Sequence, residues 1–277
     1  MQIVMIQDEI VPTEEVEPVY LDRGMFFGDG VYEVMRSYNG QLFAFEEHLE
    51  RFAQSLAGIQ MTGVDMEQIR ARIHRAFKAA GIANAVVYFH MTRGSAPRER
   101  VWSDDLEPNF FLSVSESKDN PEVKARGIAV STFPDWRWKR CDIKSLNLLP
   151  NVMACTDAAK KGCDEAIFVD DAGWITEGAG SAFFAVRGQT LQTAPLTANI
   201  LPSITRKFTI EAGRNVGLKI VEESLTPEQA VASDELCVAS TTKDILAVVK
   251  FDDTIIGDGN PGIYTKRMAE AFRSFVV

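Results

Sequence analysis

The sequence is short of the residues that build metal sites and disulfide frameworks. Only 4 of its 277 residues are cysteine and 3 are histidine. Cys141, Cys155, Cys163 and Cys237 form no CxxC pair and no regular framework, and His48, His74 and His90 lie far apart without ligand spacing. No metal centre is expected, and the thiols should be reduced and mostly buried, as in the cytoplasm. Basic charge is also in deficit: 29 Lys and Arg face 39 Asp and Glu, a net charge of −10. A nucleic-acid binder needs a basic face that displaces phosphate counterions, so that class is set aside. Any anion must be held locally, by a few placed cations and backbone N–H groups. No apolar run is long enough to cross a bilayer, and the opening MQIVMIQDEIVP carries acids where a leader would carry a basic start. A soluble, cytoplasmic protein with no membrane partner is expected.

What remains is ordinary globular material, 46% hydrophobic and 25% charged, enough for two modest domains or one large one. Alternation around Ile3, Met5 and Val16–Tyr20 predicts short strands, and Asp22-Arg-Gly24 and Gly28-Asp-Gly30 read as turns. Val31–Tyr38 reads as a strand closed by the Asn39-Gly40 turn. Helices follow near Glu46–Ala57 and Met66–Ala80, the second ending at Gly81. Strands at Ala85–Thr92 and Phe110–Ser115 complete an α+β unit over residues 1–117. The polar segment 118–125, with Pro121, is the linker candidate. A second unit, 126–277, opens with a strand at Ile128–Phe133 and a helix at Pro150–Lys161. Hairpins pair Ala166–Val169 with Trp174–Thr176 and Ala182–Val186 with Thr190–Thr193. Helices are predicted near Ser203–Val216 and Gly262–Phe275. No internal repeat or low-complexity tract appears.

The most informative stretch is Trp136-Arg-Trp-Lys-Arg-Cys-Asp-Ile-Lys-Ser-Leu-Asn-Leu-Leu-Pro150. Lys144 lies between a basic, aromatic segment and an apolar one whose Ile143, Leu146, Leu148 and Leu149 should be buried. Desolvation favours a neutral amine, the form that attacks carbonyls. On residue chemistry alone, Lys144 reads more readily as a snorkelling lysine and Glu177 as a solvated loop acid.

The order of motifs decides between these readings. Asp22-Arg-Gly24, Phe27-Gly-Asp-Gly-Val-Tyr-Glu-Val34, Glu47-His-Leu-Glu-Arg51, Thr92-Arg-Gly94 with Pro97-Arg98, Cys141-Asp-Ile-Lys-Ser-Leu-Asn-Leu-Leu149, Gly162-Cys-Asp-Glu-Ala-Ile167, Thr176-Glu-Gly178, Ile204-Thr-Arg206 and Ser240-Thr-Thr242 follow one another across nearly the whole chain. Each is weak alone. Together they resemble the fold-type IV enzymes that use pyridoxal 5′-phosphate (PLP), and among them the D-amino acid aminotransferases.

That resemblance implies an α+β fold with two α/β domains and the active site between them. It implies that Lys144 joins PLP as a Schiff base and then moves protons, and that Glu177 faces the pyridine nitrogen. It places Arg51, Ile204, Thr205 and Thr241 at the phosphate and Leu201 against the ring. Ile204 and Thr205 open a predicted helix, where free N–H groups and the dipole favour an anion. Tyr32 and Arg98 would bind the substrate α-carboxylate, the guanidinium by its two-pronged fork. Taken alone, Tyr32 also reads as a core aromatic, Leu201 as a core leucine, and Arg51 and Arg98 as exposed cations.

Two departures from the family pattern are visible. Arg100 stands where a histidine completes the usual carboxylate trap, adding charge that suits a dicarboxylate. Ala179-Gly-Ser-Ala182 stands where a serine run ending in asparagine is expected. The activity implied is transfer of an amino group from a D-amino acid, of the D-alanine or D-glutamate type, to a 2-oxo acid such as 2-oxoglutarate or pyruvate, in a homodimer. Other fold-type IV activities stay open at this point: 4-amino-4-deoxychorismate lyase, branched-chain L-amino acid aminotransferase and (R)-amine transaminase, with a non-catalytic PLP-binding protein more remote. The lysine segment and Pro97-Arg98 favour the D-amino acid enzyme.

Overall fold

The computed structural model describes residues 2–197 and 199–276. A hairpin of β1 (Ile3–Ile6) and β2 (Glu9–Pro12) opens the chain. The next segment departs from the predicted strand. Pro18–Leu21 is one 3-10 turn with Pro18 at its start, where a missing N–H has no partner to lose. Asp22 then caps a short helix, α1 (Arg23–Phe27), by accepting from Gly24 N at 2.6 Å, and Gly28 ends it at a φ of 64°. The two motifs read as turns are the two caps of that helix.

A four-stranded antiparallel sheet follows, in the order β4 (Gln41–Leu42), β3 (Gly30–Tyr38), β5 (Ala85–Thr92), β6 (Asn109–Glu116). One face carries Val31, Met35, Val87, Phe89 and Met91 against helices α2 (Phe45–Gly58) and α3 (Met66–Ala80), whose Leu49, Phe52, Leu56, Ile69 and Ile73 complete the core. Each such side chain contributes roughly 1.5–3 kcal/mol by leaving water. The other face carries Tyr32 and Val34, which line a cleft.

Within the segment read as a linker lies α4 (Pro121–Arg126), capped by Asn120, whose side chain accepts from Val123 N. The polar composition that signalled a linker is that of a helix start.

The second half comprises β7 (Ile128–Pro134), α5 (Leu149–Lys160), β8 (Glu165–Val169), β9 (Ile175–Gly178), β10 (Ala182–Arg187), β11 (Thr190–Thr193), α6 (Ile204–Asn215), β12 (Lys219–Glu222), α7 (Pro227–Val231), β13 (Glu235–Ser240), β14 (Asp244–Phe251), β15 (Thr254–Ile255) and α8 (Ile263–Arg273). Its strands form a mixed sheet in the order β12-β11-β10-β13-β14-β7-β8-β9, with β15 beside β14. Both faces are apolar, so the strands read as nearly continuous hydrophobic runs. Ile167, Phe183, Leu236 and Phe251 fill one core, while Phe184, Leu191 and Cys237 pack beneath α6 and α8 on the other face. The fold is α+β, as the motifs implied.

Several burial expectations need correction. Ile143 is buried, but Leu146 and Leu148 are half-buried and Leu149 is 69% exposed, because it opens α5 on the outer face beside exposed Val152 and Met153. Only Cys141 and Cys237 are buried; Cys155 is exposed, and all four thiols are free. No helix among the described residues is long and apolar enough to cross a membrane.

Candidate active site

The residues between β7 and α5 leave their own sheet and run beside β3. Tyr32 N donates to Lys144 O at 2.9 Å, Leu146 N donates to Gly30 O at 3.0 Å, and Val31 and Ser145 form an isolated bridge. Gly30 permits this approach: a Cβ there would lie 2.6 Å from Met91 O and 2.8 Å from Leu146 Cδ1. Lys144 N donates to Ser55 Oγ on α2 at 3.1 Å, which fixes the backbone from a second side. A single segment of the second half is thus sewn to the first-half sheet, and the cleft lies along that seam. It is about 960 Å³, its open mouth included.

Half-buried Lys144 projects its amine into this cleft, with Nζ 3.3 Å from Tyr32 Oη and 4.3 Å from the centre of the Tyr32 ring. Tyr32 is therefore a cleft residue and not a core aromatic. Glu177 lines the cleft at the end of β9 and is buried. Its Oε1 accepts from Arg137 Nη1 at 2.5 Å and from Leu201 N at 3.2 Å. Leu201 also lines the cleft.

Arg137 was not foreseen as a site residue, nor was its partner Asp135. The guanidinium serves two acids unequally. Asp135 takes Nε at 2.8 Å and Nη2 at 2.7 Å, a fork-on-fork pair, whereas Glu177 receives one nitrogen. Burial pushes both carboxyls up. For Asp135, Arg137 and the Thr176 hydroxyl overcome burial and hold the group below the usual range. For Glu177, burial outweighs Arg137, the Leu201 N–H and Lys144, and its carboxyl is raised. A cation arriving beside Glu177 would act with Arg137 against that rise. The sequence signal was an acid two residues before an arginine in an otherwise basic, aromatic run, which reads equally as a solvated strand end.

Arg51 is buried on α2 and reaches the cleft. Its Nε and Nη2 donate to Glu33 at 2.9 and 2.6 Å, and its Nη1 donates to Pro202 O at 3.1 Å. Burial would raise the Glu33 carboxyl, but Arg51 and His48 together hold it far below its usual value. Pro202 leads into α6, where Ser203 caps the helix and accepts from Arg206 N at 3.1 Å. That cap satisfies only one early N–H; those of Ile204 and Thr205, the first two helical residues, have no partner within the helix. Both of these side chains are buried, and the cleft lining passes from Leu201 to Ser203 without them. Across the cleft lie Thr241 and Ser240, whose hydroxyl oxygen is buried with no hydrogen-bond partner among the described residues. Cys141 lines the cleft as well, but burial pushes its thiol up to about 11, so it is no thiolate nucleophile near neutrality.

This donor set fits PLP. An amine stands at one wall for its carbonyl carbon, and a buried carboxylate, whose Oε2 takes no hydrogen bond among the described residues, would suit a protonated ring nitrogen. Helix N–H groups, Arg51, Thr241 and the orphaned Ser240 hydroxyl suit a phosphate.

Arg98 and Arg100 are not brought to the cleft of their own chain. Both are exposed, on the loop of residues 94–102. The loop backbone is nevertheless pinned: buried Arg23 donates to Glu99 O at 2.6 Å and to Arg100 O at 3.3 Å while pairing with Asp29. Arg93, also on Asp29, lies 4.1 Å from the Trp102 ring centre. The loop is held at its base and presents its guanidinium groups outward.

Comparison with known proteins gives the family and the fold. The family model described as amino-transferase class IV matches residues 30–251. A D-alanine aminotransferase of Staphylococcus haemolyticus is 36% identical over 275 residues, 99% of this chain and 97% of that protein. Among solved structures, the Escherichia coli branched-chain amino acid aminotransferase superposes with a TM-score of 0.86 at 22% identity, covering 96% of this chain and 92% of that one. A PLP-bound hypothetical aminotransferase from Mycobacterium tuberculosis superposes with a TM-score of 0.82 at 21% identity, covering 97% and 96%.

Proposed function

This chain belongs to the class IV aminotransferases, and from that premise we propose that it moves the amino group of a D-amino acid, of the D-alanine or D-glutamate type, to a 2-oxo acid, using PLP held at Lys144. The observation that carries the reading is the opposition of the Lys144 amine, beside the Tyr32 hydroxyl, to the buried Glu177 carboxylate in one cleft. The D-alanine name belongs to a relative 36% identical over nearly the whole chain. The branched-chain name belongs to a structure 22% identical, a level that speaks for the fold alone.

Bound in the cleft, PLP supplies a carbonyl carbon open to amines and a ring that accepts electrons. The chain's own groups do the rest. Glu177 holds a proton at the ring nitrogen, and Arg137 and the Leu201 N–H keep that carboxylate ionised and in place. Lys144 Nζ takes the proton from the substrate Cα and returns it on the cofactor side. Tyr32 Oη, within reach of Lys144 Nζ, orients the amine and one end of the substrate carboxylate. Arg51, Thr241 and the N–H groups of Ile204 and Thr205 hold the phosphate, and Leu201 supports the ring.

Arg98 and Arg100 complete the carboxylate trap in this reading, and since they lie outside the cleft of their own chain, a second copy delivers them. The exposed Leu149, Val152 and Met153 beside the cleft support a homodimer. Residues 1–117 form the substrate-side unit and 126–277 the cofactor-side unit. Four free thiols, one of them exposed, fit the reducing cytoplasm.

An absorption spectrum tests the core of this. Purified with PLP, the protein should absorb in the visible, lose that band on adding D-alanine and keep it with L-alanine. Release of p-aminobenzoate from aminodeoxychorismate, or bleaching by L-leucine alone, would replace the reading with another activity of the same fold.

A further inference from the structure

Beneath the cleft lies an ion pair, its acid buried and its lysine half-buried, that the reaction does not use. Glu165 opens β8 and is 3% exposed. Its Oε1 accepts from Gly180 N at 3.1 Å, and its Oε2 accepts from Ser181 Oγ at 3.3 Å and from the Lys243 ammonium. Gly180 and Ser181 belong to the loop between β9 and β10, and Lys243 to the turn between β13 and β14; both loops line the cleft. The turn is Ser240-Thr-Thr-Lys243, with Lys243 N donating to Ser240 O at 3.1 Å, and it contains the unpaired Ser240 hydroxyl and Thr241. Its far end is tied as well. Asp244, at a φ of 56°, accepts from Arg36 Nη1 at 3.0 Å, Tyr38 Oη at 2.5 Å and Lys124 Nζ at 2.8 Å. The turn is thus moored to the second-half sheet through Lys243 and to the first-half sheet through Asp244.

We propose that Lys243 is a positioning residue for the cofactor phosphate, acting through Glu165 and not by touching the anion. The proposal rests on the PLP reading above. A buried carboxylate stripped of its cation is unfavourable, and it would sit behind the very loops that must receive a dianion. Lys243 therefore acts through one contact, by cancelling the Glu165 charge that would repel phosphate.

The test is a cycle read as the dissociation constants of PLP and of pyridoxal, which lacks the phosphate, for apoprotein. Lys243→Met should weaken PLP binding by about tenfold or more, with pyridoxal changed far less. Glu165→Gln keeps an acceptor for Gly180 N and should have little effect. The double variant Glu165→Gln/Lys243→Met should recover to within a few-fold of wild type, and Lys243→Arg should rescue the single variant. A double variant as weak as Lys243→Met would mean that the ammonium meets the phosphate directly, and would overturn the proposal. So would equal losses for PLP and pyridoxal, which denote a general loosening, or no loss at all. Because the double variant has no uncompensated buried charge, it stays informative if Lys243→Met folds poorly. Wild-type protein that binds no PLP would instead overturn the cofactor reading itself, a result visible before any variant is made.

Discussion

The two ends of the cleft are built on opposite terms. At the cofactor end the buried charged side chains are countered within the chain: Arg137 by Asp135 and Glu177, Arg51 by Glu33, and Glu165 by half-buried Lys243. At the substrate end Arg98 and Arg100 are solvent-exposed, and the one close contact of the Arg98 guanidinium with a ring is Phe27, at 5.4 Å. Only Tyr32 represents that end inside the cleft. Paired buried charges leave little net field, so the cofactor end binds by geometry, with N–H groups and hydroxyls aimed at fixed places. Exposed arginines on a pinned loop provide the reverse, strong charge without a local target. On the proposed reading one chain therefore suffices to build a cofactor site, whereas substrate recognition waits on assembly.

Substitutions at the cofactor end should cost the most. Lys144→Ala removes what the proposal makes both the amine that holds PLP and the proton carrier, and turnover of D-alanine with 2-oxoglutarate should fall at least ~10³-fold; steady-state assay of purified protein decides it, and activity within tenfold of wild type would remove Lys144 from the mechanism. Arg137→Met comes next, at roughly 10²-fold in kcat. Here the sign of the pH effect is informative. Burial already raises the Glu177 carboxyl, and Arg137 opposes that rise. Without the cation the carboxyl rises further, Glu177 stays protonated to a higher pH, and the acid limb of the kcat profile should move upward in pH. An unmoved acid limb would show that Arg137 serves Asp135 alone.

How much of this could be read in the sequence divides along the same line. The long helices were legible because their stops are local: Gly81 ends α3 and Gly162 follows α5, both at positive φ. Lys144 and Glu177 were legible because each sits in a motif in series with others. Arg137 was not, since its role comes from two acids, one of them 40 residues downstream, brought together by the pairing of β7, β8 and β9. Glu33 and Glu165 were hidden likewise: an acid inside an apolar strand is read as outward-facing until its cation, 18 or 78 residues away, is located. Asp22 and Pro18 misled for a local reason. Cap and turn chemistry use the same residues, and a helix of five residues has too little periodicity to tell them apart.

At the substrate end the expected effects are smaller and fall on KM. Arg98→Ala should raise KM for D-alanine by about tenfold to a hundredfold, the worth of one charge-assisted pair, while the PLP dissociation constant stays put. That separation tests the contrast between the two ends directly. If PLP affinity fell in parallel, the loop of residues 94–102 would be supporting the cofactor end. Mixing inactive Lys144→Ala chains with inactive-trap Arg98→Ala chains sharpens it further. If the arginine crosses between copies, mixed dimers recover one intact site, and activity at low substrate should rise above that of either parent.

The smallest effect expected is at Arg100, and it carries the most chemical detail. Arg100→His restores the residue type that the family pattern places there, exchanging a permanent charge for one that titrates near pH 6.5. Below that pH the imidazolium still attracts a carboxylate, so KM should remain near the wild-type value. Above it the charge disappears, and KM for D-glutamate should rise a few-fold while KM for D-alanine changes less, because the second carboxylate has more to lose from a missing cation. Wild type should show no such step, since a guanidinium does not titrate in the working range. A variant whose D-glutamate and D-alanine KM values move together across pH 6–8 would place Arg100 at the shared α-carboxylate. One in which neither moves would leave its guanidinium as a surface charge, and Arg98 as the sole cation of the trap.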